Sequence, residues 1–190
     1  MALTSVSPID GRYEGKTKCL KGYFSEMALM RYRIYTEINY LIKLLETPML
    51  KGRVKSAVDT AKLRSIIEIT EDDAAIIKAF ETTGYDGTPA TNHDVKAIEY
   101  FIKRKIKEMG MDEILEYVHF ALTSEDINNI SYGLMIRDAV NNVVVPEILS
   151  TQKSHLLIMN TCTQSRSRFA SIQLQLRLNH TIHTCAYLTA

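Results

Sequence analysis

Two short polar runs carry the residue types that chemistry on an anionic substrate requires. Asn92-His93-Asp94 follows a glycine-containing stretch, and Thr123-Ser124 precedes an apolar periodic one. Both read as helix beginnings. The first amides of a helix have no intrahelical acceptor, and the aligned peptide dipoles leave a partial positive charge there. A phosphate or carboxylate is therefore favoured at such a point by roughly 0.3–2 kcal/mol. His93 adds an imidazole, with an ordinary pKa of about 6.5, that can exchange a proton or hold an anion when charged. These residues also have a plainer use, because Asn, Thr and Ser are the side chains that cap helices whatever a protein does. A lone histidine beside a cap is commonly just a satisfied polar group.

Three further positions call for the same weighing. Arg12 and Tyr13 can grip a phosphate through a guanidinium fork and a phenol, or form an ordinary surface pair. His119, between Val118 and Phe120, reads as a packed histidine rather than a site. His180 and His183 form an H-x-x-H pair with no carboxylate or third ligand nearby, so no metal site is expected.

Helices must position these residues. Pro8 to Gly22 reads as a loop. Ser25 caps a helix expected to run to about Glu46, since Ile34, Ile38, Leu41, Ile42 and Leu45 recur at spacings of three and four. A second helical stretch is expected over roughly 55–69. Thr70-Glu71-Asp72-Asp73 looks like a cap with acidic residues in the first turn of a helix to about Glu81. Gly84 to Ala90 is a loop. From Asn92, the spacing of Val95, Ile98, Ile102, Ile106 and Met109 predicts a helix closed by Gly110. A short helix is expected over about 112–121. Thr123 or Ser124 then caps a long helix through Ile127, Ile130 and Leu134, which Pro146 is expected to kink. No stretch alternates with period two, so the fold class is all-α.

Composition narrows the classes. The chain has 190 residues, 46% hydrophobic and 24% charged, with eight Gly and four Pro, the profile of an ordinary soluble helical protein. No apolar run approaches the roughly 20 residues of a membrane span, so no membrane role is expected. Three cysteines without ligand spacing point to reduced thiols in the cytoplasm. The net charge of +1 hides an asymmetry. After Ser150 there is no Asp or Glu, only Lys153, Arg166, Arg168 and Arg177 as charged residues. The first 150 residues therefore hold all 22 acidic residues and 19 basic ones, a net of −3. Neither part is a dense basic cluster, and no nucleic-acid partner is expected. The last forty residues read either as a poorly ordered basic tail or as sequence that is not the native continuation of the domain.

A resemblance extends this reading at the same positions. Ser7-Pro8-Ile9-Asp10-Gly11-Arg12-Tyr13 resembles the opening motif of the adenylosuccinate lyase family. Thr91-Asn92-His93-Asp94-Val95-Lys96-Ala97-Ile98-Glu99-Tyr100-Phe101 resembles its second motif. His119-Phe120-Ala121-Leu122-Thr123-Ser124-Glu125-Asp126-Ile127-Asn128-Asn129 resembles its third. The three occur in the family's order, within a resemblance that runs from about Val6 to Lys153. It implies the all-helical fumarase/aspartase superfamily, a homotetramer with a shared central helical bundle, and no cofactor. The implied reaction removes fumarate from adenylosuccinate, giving AMP, and from the succinyl-carboxamide ribotide of purine synthesis. By match to the motifs, Arg12 and Tyr13 bind the nucleotide. Asn92, His93 and Asp94 line the substrate pocket, with His93 as the catalytic residue. Thr123 and Ser124 hold a succinyl carboxylate.

The sequence also departs from the family. Gly84 to Ala90 reads as an insertion in a surface loop, which closure entropy tolerates. The family's next motif, Ser-Arg-Thr-His-Gly-Gln-Pro-Ala, is replaced by Ser165-Arg166-Ser167-Arg168-Phe169-Ala170-Ser171-Ile172. The expected organisation is a helical lyase domain over 1–122, the start of a central bundle over 123–153, and an aberrant basic tail over 154–190. The chain thus reads as a truncated lyase, inactive alone. The alternative is a non-catalytic helical module that associates with full-length subunits.

Overall fold

The computed structural model describes residues 7–9, 11–50, 53–54 and 58–166, and its backbone divides into two compact units that meet at Val143 and Val144. All regular elements among the described residues are helical. The one extended pairing is an isolated antiparallel bridge between Tyr85 and Thr88.

The first unit opens with helical turns where the sequence suggests a loop: α1 (Glu14–Thr17), a 3-10 turn (Lys18–Leu20) and α2 (Lys21–Phe24). Such turns are too short to show a periodic apolar face. Local bonds hold them, among them the Thr17 hydroxyl donating to the carbonyls of Ile9 and Tyr13 at 3.2 and 3.3 Å.

The main layer is α3 (Glu26–Leu45), α5 (Glu71–Thr82), α6 (Asp94–Glu108) and α7 (Ser124–Ala139), with the short α4 (Thr60–Ser65) between α3 and α5 in sequence. α3 packs on α7, α6, α5 and α4, and α5 packs on α6. Ser25 caps α3 as expected, its hydroxyl accepting from the Ala28 amide at 3.2 Å. The apolar spacings meet in one core: Ile34, Ile38 and Leu41 from α3, Leu63 from α4, Ile77 and Phe80 from α5, and Ile98, Phe101, Ile102 and Ile106 from α6. Burying each such side chain contributes roughly 1.5–3 kcal/mol, which makes this cluster the frame on which the polar motifs are mounted.

Three further expectations need correction. α4 is much shorter than the 55–69 stretch, ending in turns after Ser65; residues 55–57 lie outside the described residues. The segment after Gly110 is a 3-10 helix (Asp112–Tyr117) that buries only Ile114, because its apolar residues lack the spacing to sustain an α-helix. α6 begins at Asp94 with His93, not Asn92, as its N-cap.

The loop before α6 is a tight hairpin. Tyr85 and Thr88 exchange both backbone hydrogen bonds at 2.9 Å, and Asp86 and Gly87 both have positive φ, 52° and 76°. That is a type I′ turn, for which Asp-Gly is a favoured pair. Gly84 has φ 86°, and a Cβ there would lie 2.7 Å from the Thr88 carbonyl oxygen, so glycine is required.

α7 gives way to a π-helical turn over Val140–Val144, and α8 (Val145–Arg166) follows in the second unit. Pro146 has no amide to donate to the Asn142 carbonyl, and its ring crowds that group; widening the turn relieves both. The expected interruption is therefore found one turn before the proline. The described side chains of α8, to Met159, are all exposed. The tail motif residues from Ser167 on, with His180 and His183, lie outside the described residues.

Candidate functional site: two helix beginnings in contact

Helix α6 owes its start to a sharp approach. The amides of Thr91 and Asn92 donate to the carbonyls of Phe80 and Glu81 at 2.9 Å, tying the segment back to α5. Asn92 then takes φ 49°, a left-handed conformation that asparagine tolerates better than most residues. His93 is thereby turned into the capping position, where its Nδ1 accepts from the Lys96 amide at 3.3 Å. This bond assigns the tautomer of the neutral ring: with Nδ1 as acceptor, the proton resides on Nε2.

Nε2 points at the second helix beginning and lies 3.3 Å from Ser124 Oγ. Residues 31 positions apart thus meet, which brings the two motifs together. Ser124 is the first residue of α7 and Thr123 its cap, with a complete capping box. The Thr123 amide and hydroxyl donate to Asp126 Oδ2 at 2.7 and 2.8 Å, and the Asp126 amide donates back to Thr123 Oγ1 at 3.4 Å. Those bonds hold the Asp126 carboxyl below its usual range, the backbone bond from Thr123 first and its hydroxyl second. Thr123 is therefore committed to capping, while the amides of Ser124 and Glu125 stand where no intrahelical acceptor exists. Ser124 Oγ, His93 Nε2 and these amides together present donors to one anion. The Asn92 side chain is exposed and has no hydrogen-bond partner among the described residues.

Asp94 is engaged elsewhere. Its Oδ2 receives Arg33 Nη2 at 2.6 Å, and its Oδ1 receives the Val95 amide at 2.8 Å. Desolvation acts to raise this carboxyl, but the Arg33 charge and hydrogen bond, the Val95 amide and nearby His93 outweigh it and hold the pKa below the ordinary value. Arg33 is buried in α3 and also donates from Nε to Asn128 Oδ1 at 3.0 Å, so one guanidinium joins α3 to the first turn of α6 and the second turn of α7. Sequence reasoning missed Arg33; its only signal is a charged residue on an otherwise apolar stripe. Arg12 and Tyr13 lie in the N-terminal turns, the Arg12 guanidinium 5.6 Å from the Tyr13 ring centroid. A hydrogen bond joins the second and third motifs, and none joins this pair to either among the described residues.

His119 is the packed histidine that the sequence suggests, with a specific partner. Its Nδ1 lies 2.5 Å from Oε1 of Glu37, a carboxylate on α3 that is 1% exposed. The hydrogen bond to Glu37 raises the His119 pKa, burial opposes this, and the Glu37 charge adds to the rise. Glu37 too was missed, being the fourth residue of a helical turn that otherwise reads as core.

An all-helical frame that brings two helix starts and a histidine into contact offers the kind of donors that suit an anion. Residues 11–154 match the lyase family, and the chain belongs to that family, the helical fumarase/aspartase superfamily. Among its relatives, adenylosuccinate lyase of Dictyostelium discoideum is 45% identical over 151 residues, 77% of this chain and 31% of that protein. Adenylosuccinate lyase of Escherichia coli K12 is 43% identical over 148 residues, 76% of this chain and 31% of that protein. That of Legionella pneumophila strain Corby is 40% identical over 164 residues, 83% and 34% respectively. The chain thus spans about a third of the length of the curated relatives it matches. No helix among the described residues is long and apolar enough to cross a membrane.

Proposed function

We propose that the chain is the N-terminal portion of an adenylosuccinate lyase, a carbon–nitrogen lyase of purine synthesis. It takes part in eliminating fumarate from adenylosuccinate and from the succinyl-carboxamide ribotide, in the cytoplasm and without a cofactor. The observation that carries this reading is the contact between His93 and Ser124 across two helix beginnings. Elimination next to a carboxylate builds negative charge on the carboxyl-bearing fragment, and preorganised donors aimed at that charge lower the barrier. Ser124 and Thr123, with the α7 amides, hold a succinyl carboxylate. His93, the catalytic residue here, contacts the substrate and stabilises the developing charge from Nε2. Asn92 and Asp94 line the pocket, Asp94 doing so while neutralising Arg33, and Arg12 and Tyr13 bind the nucleotide portion.

Adenylosuccinate added to the isotopically labelled chain should shift the His93 ring and the Ser124 amide saturably. His93→Ala and Ser124→Ala should each weaken binding at least about tenfold, the loss of one charge-assisted hydrogen bond. A titration that moves neither signal overturns the reading.

A second role rests on a different observation. Ile130, Ile136 and Val140 in the first unit, and Ile148, Leu149 and Leu156 in the second, are exposed. Such faces support association with further lyase subunits, and a homotetramer is the assembly that family membership suggests.

A further inference from the structure

The turn that delivers α7 is held in an unfavourable backbone conformation, and the group that holds it is buried. His119 and Ala121 have φ 59° and 58°, both left-handed and neither of them glycine. Such residues persist only where their surroundings over-determine them. Two contacts from α3 do so here: Glu37 receives the His119 ring, and the Tyr40 hydroxyl donates to the Phe120 carbonyl at 2.9 Å. Ala121 is followed directly by Leu122 and then by the Thr123 cap. Glu37 is also the one described residue with a buried side-chain polar atom lacking any partner, Oε2. A carboxylate placed under an apolar stripe with half its acceptor capacity unused costs stability, and packing offers no return for that cost.

We propose that Glu37 is a positioning residue for the anion site: by seating His119 it holds the turn with His119 and Ala121 left-handed and thereby sets Thr123 and Ser124 against His93. This rests on the reading of Ser124 and His93 as the substrate site and adds the element that aligns them. The charged groups around His119 are Glu37 from α3, Lys96 and Glu99 from α6, and Asp126 from α7. Glu99 is already neutralised by Lys96 at 2.7 Å and Lys103 at 2.9 Å, and Asp126 by its capping box. Glu37 is the partner that bonds His119 directly. Loss of the His119 charge leaves Glu37 only a neutral Nδ1–H donor, a weaker bond than the charged one, and so loosens the hold on the turn.

The test follows the Ser124 and Glu125 amide signals of the full chain against pH, in a His93→Gln background so that the neighbouring ring adds no titration. The expected result is an inflection in both amides that coincides with the His119 ring titration and lies above the midpoint of an unpartnered histidine. Glu37→Gln should move both inflections together to lower pH. His119→Asn, which keeps a residue tolerant of positive φ, should abolish the amide inflection while the chain stays folded. Amides indifferent to the His119 titration overturn the proposal, as does an inflection that survives in His119→Asn. If Glu37→Gln does not fold, the parent chain and His119→Asn decide alone. Adenylosuccinate binding by the otherwise unaltered chain reports separately on the functional reading. Coupled titration without binding removes the function and keeps the positioning, and binding without coupling does the reverse.

Discussion

At the scale of single residues, the site region is built on two ion pairs with opposite pH behaviour. The His119 pKa is raised in the folded chain by Glu37. Its stabilisation is complete below the unfolded value of about 6.5 and is lost as pH climbs through the higher folded value. The Asp94 pKa is lowered, desolvation being outweighed by Arg33. Its stabilisation is present above the unfolded value of about 3.9 and disappears as pH falls through the folded one. Melting followed by circular dichroism should therefore weaken on both sides of a plateau, and Glu37→Gln should flatten the alkaline side only. An alkaline slope unchanged in Glu37→Gln would assign it to another group. Arg33→Met removes the partner of both Asp94 and Asn128. Because Asp94 stays half exposed and can rehydrate, the cost should be about 1–3 kcal/mol in urea unfolding, below that of a fully buried pair.

At the scale of elements, caps and apolar spacing carry most of the information. Thr70 and Thr123 each form complete capping boxes, with Asp73 and Asp126. Either Thr→Ala change should lower stability by about 1 kcal/mol, and Thr123→Ala should in addition blur the Ser124–His93 contact, visible as loss of the Ser124 amide shift on ligand addition. Ile102→Ala, at a fully buried core position, should cost about 2–5 kcal/mol. The long helices α3, α5, α6 and α7 were legible because their apolar residues recur with the helical period and their starts bear capping side chains. The short turns over 14–24 and the 3-10 segment over 112–117 were not, since three to six residues are too few to show a period. His93 was legible as a candidate but its capping role was not: Asn92 has the stronger capping preference, and only the bonds of Thr91 and Asn92 to α5 turn it out of that position. The pairing of Glu37 with His119, 82 positions apart, has no local signature at all.

At the scale of the whole molecule, the exposed apolar residues of α7 and α8 set the behaviour in solution. A helix draws most of its stability from the packing of an apolar face, and the described side chains of α8 are all exposed. Sedimentation velocity should show self-association that rises with concentration, and Ile136→Asp should reduce it; a concentration-independent monomer would contradict the subunit-association role.

The Asp86–Gly87 hairpin tip has a practical consequence. Its two ends are already stitched together by the paired Tyr85 and Thr88 backbones, with the Tyr85 ring wedged between Phe80 and Arg104. Splicing a flexible epitope or a fluorophore tether between those two tip residues should leave the helices around it undisturbed. The chain carries its own graft point, close in sequence to the histidine whose environment such a reporter would watch.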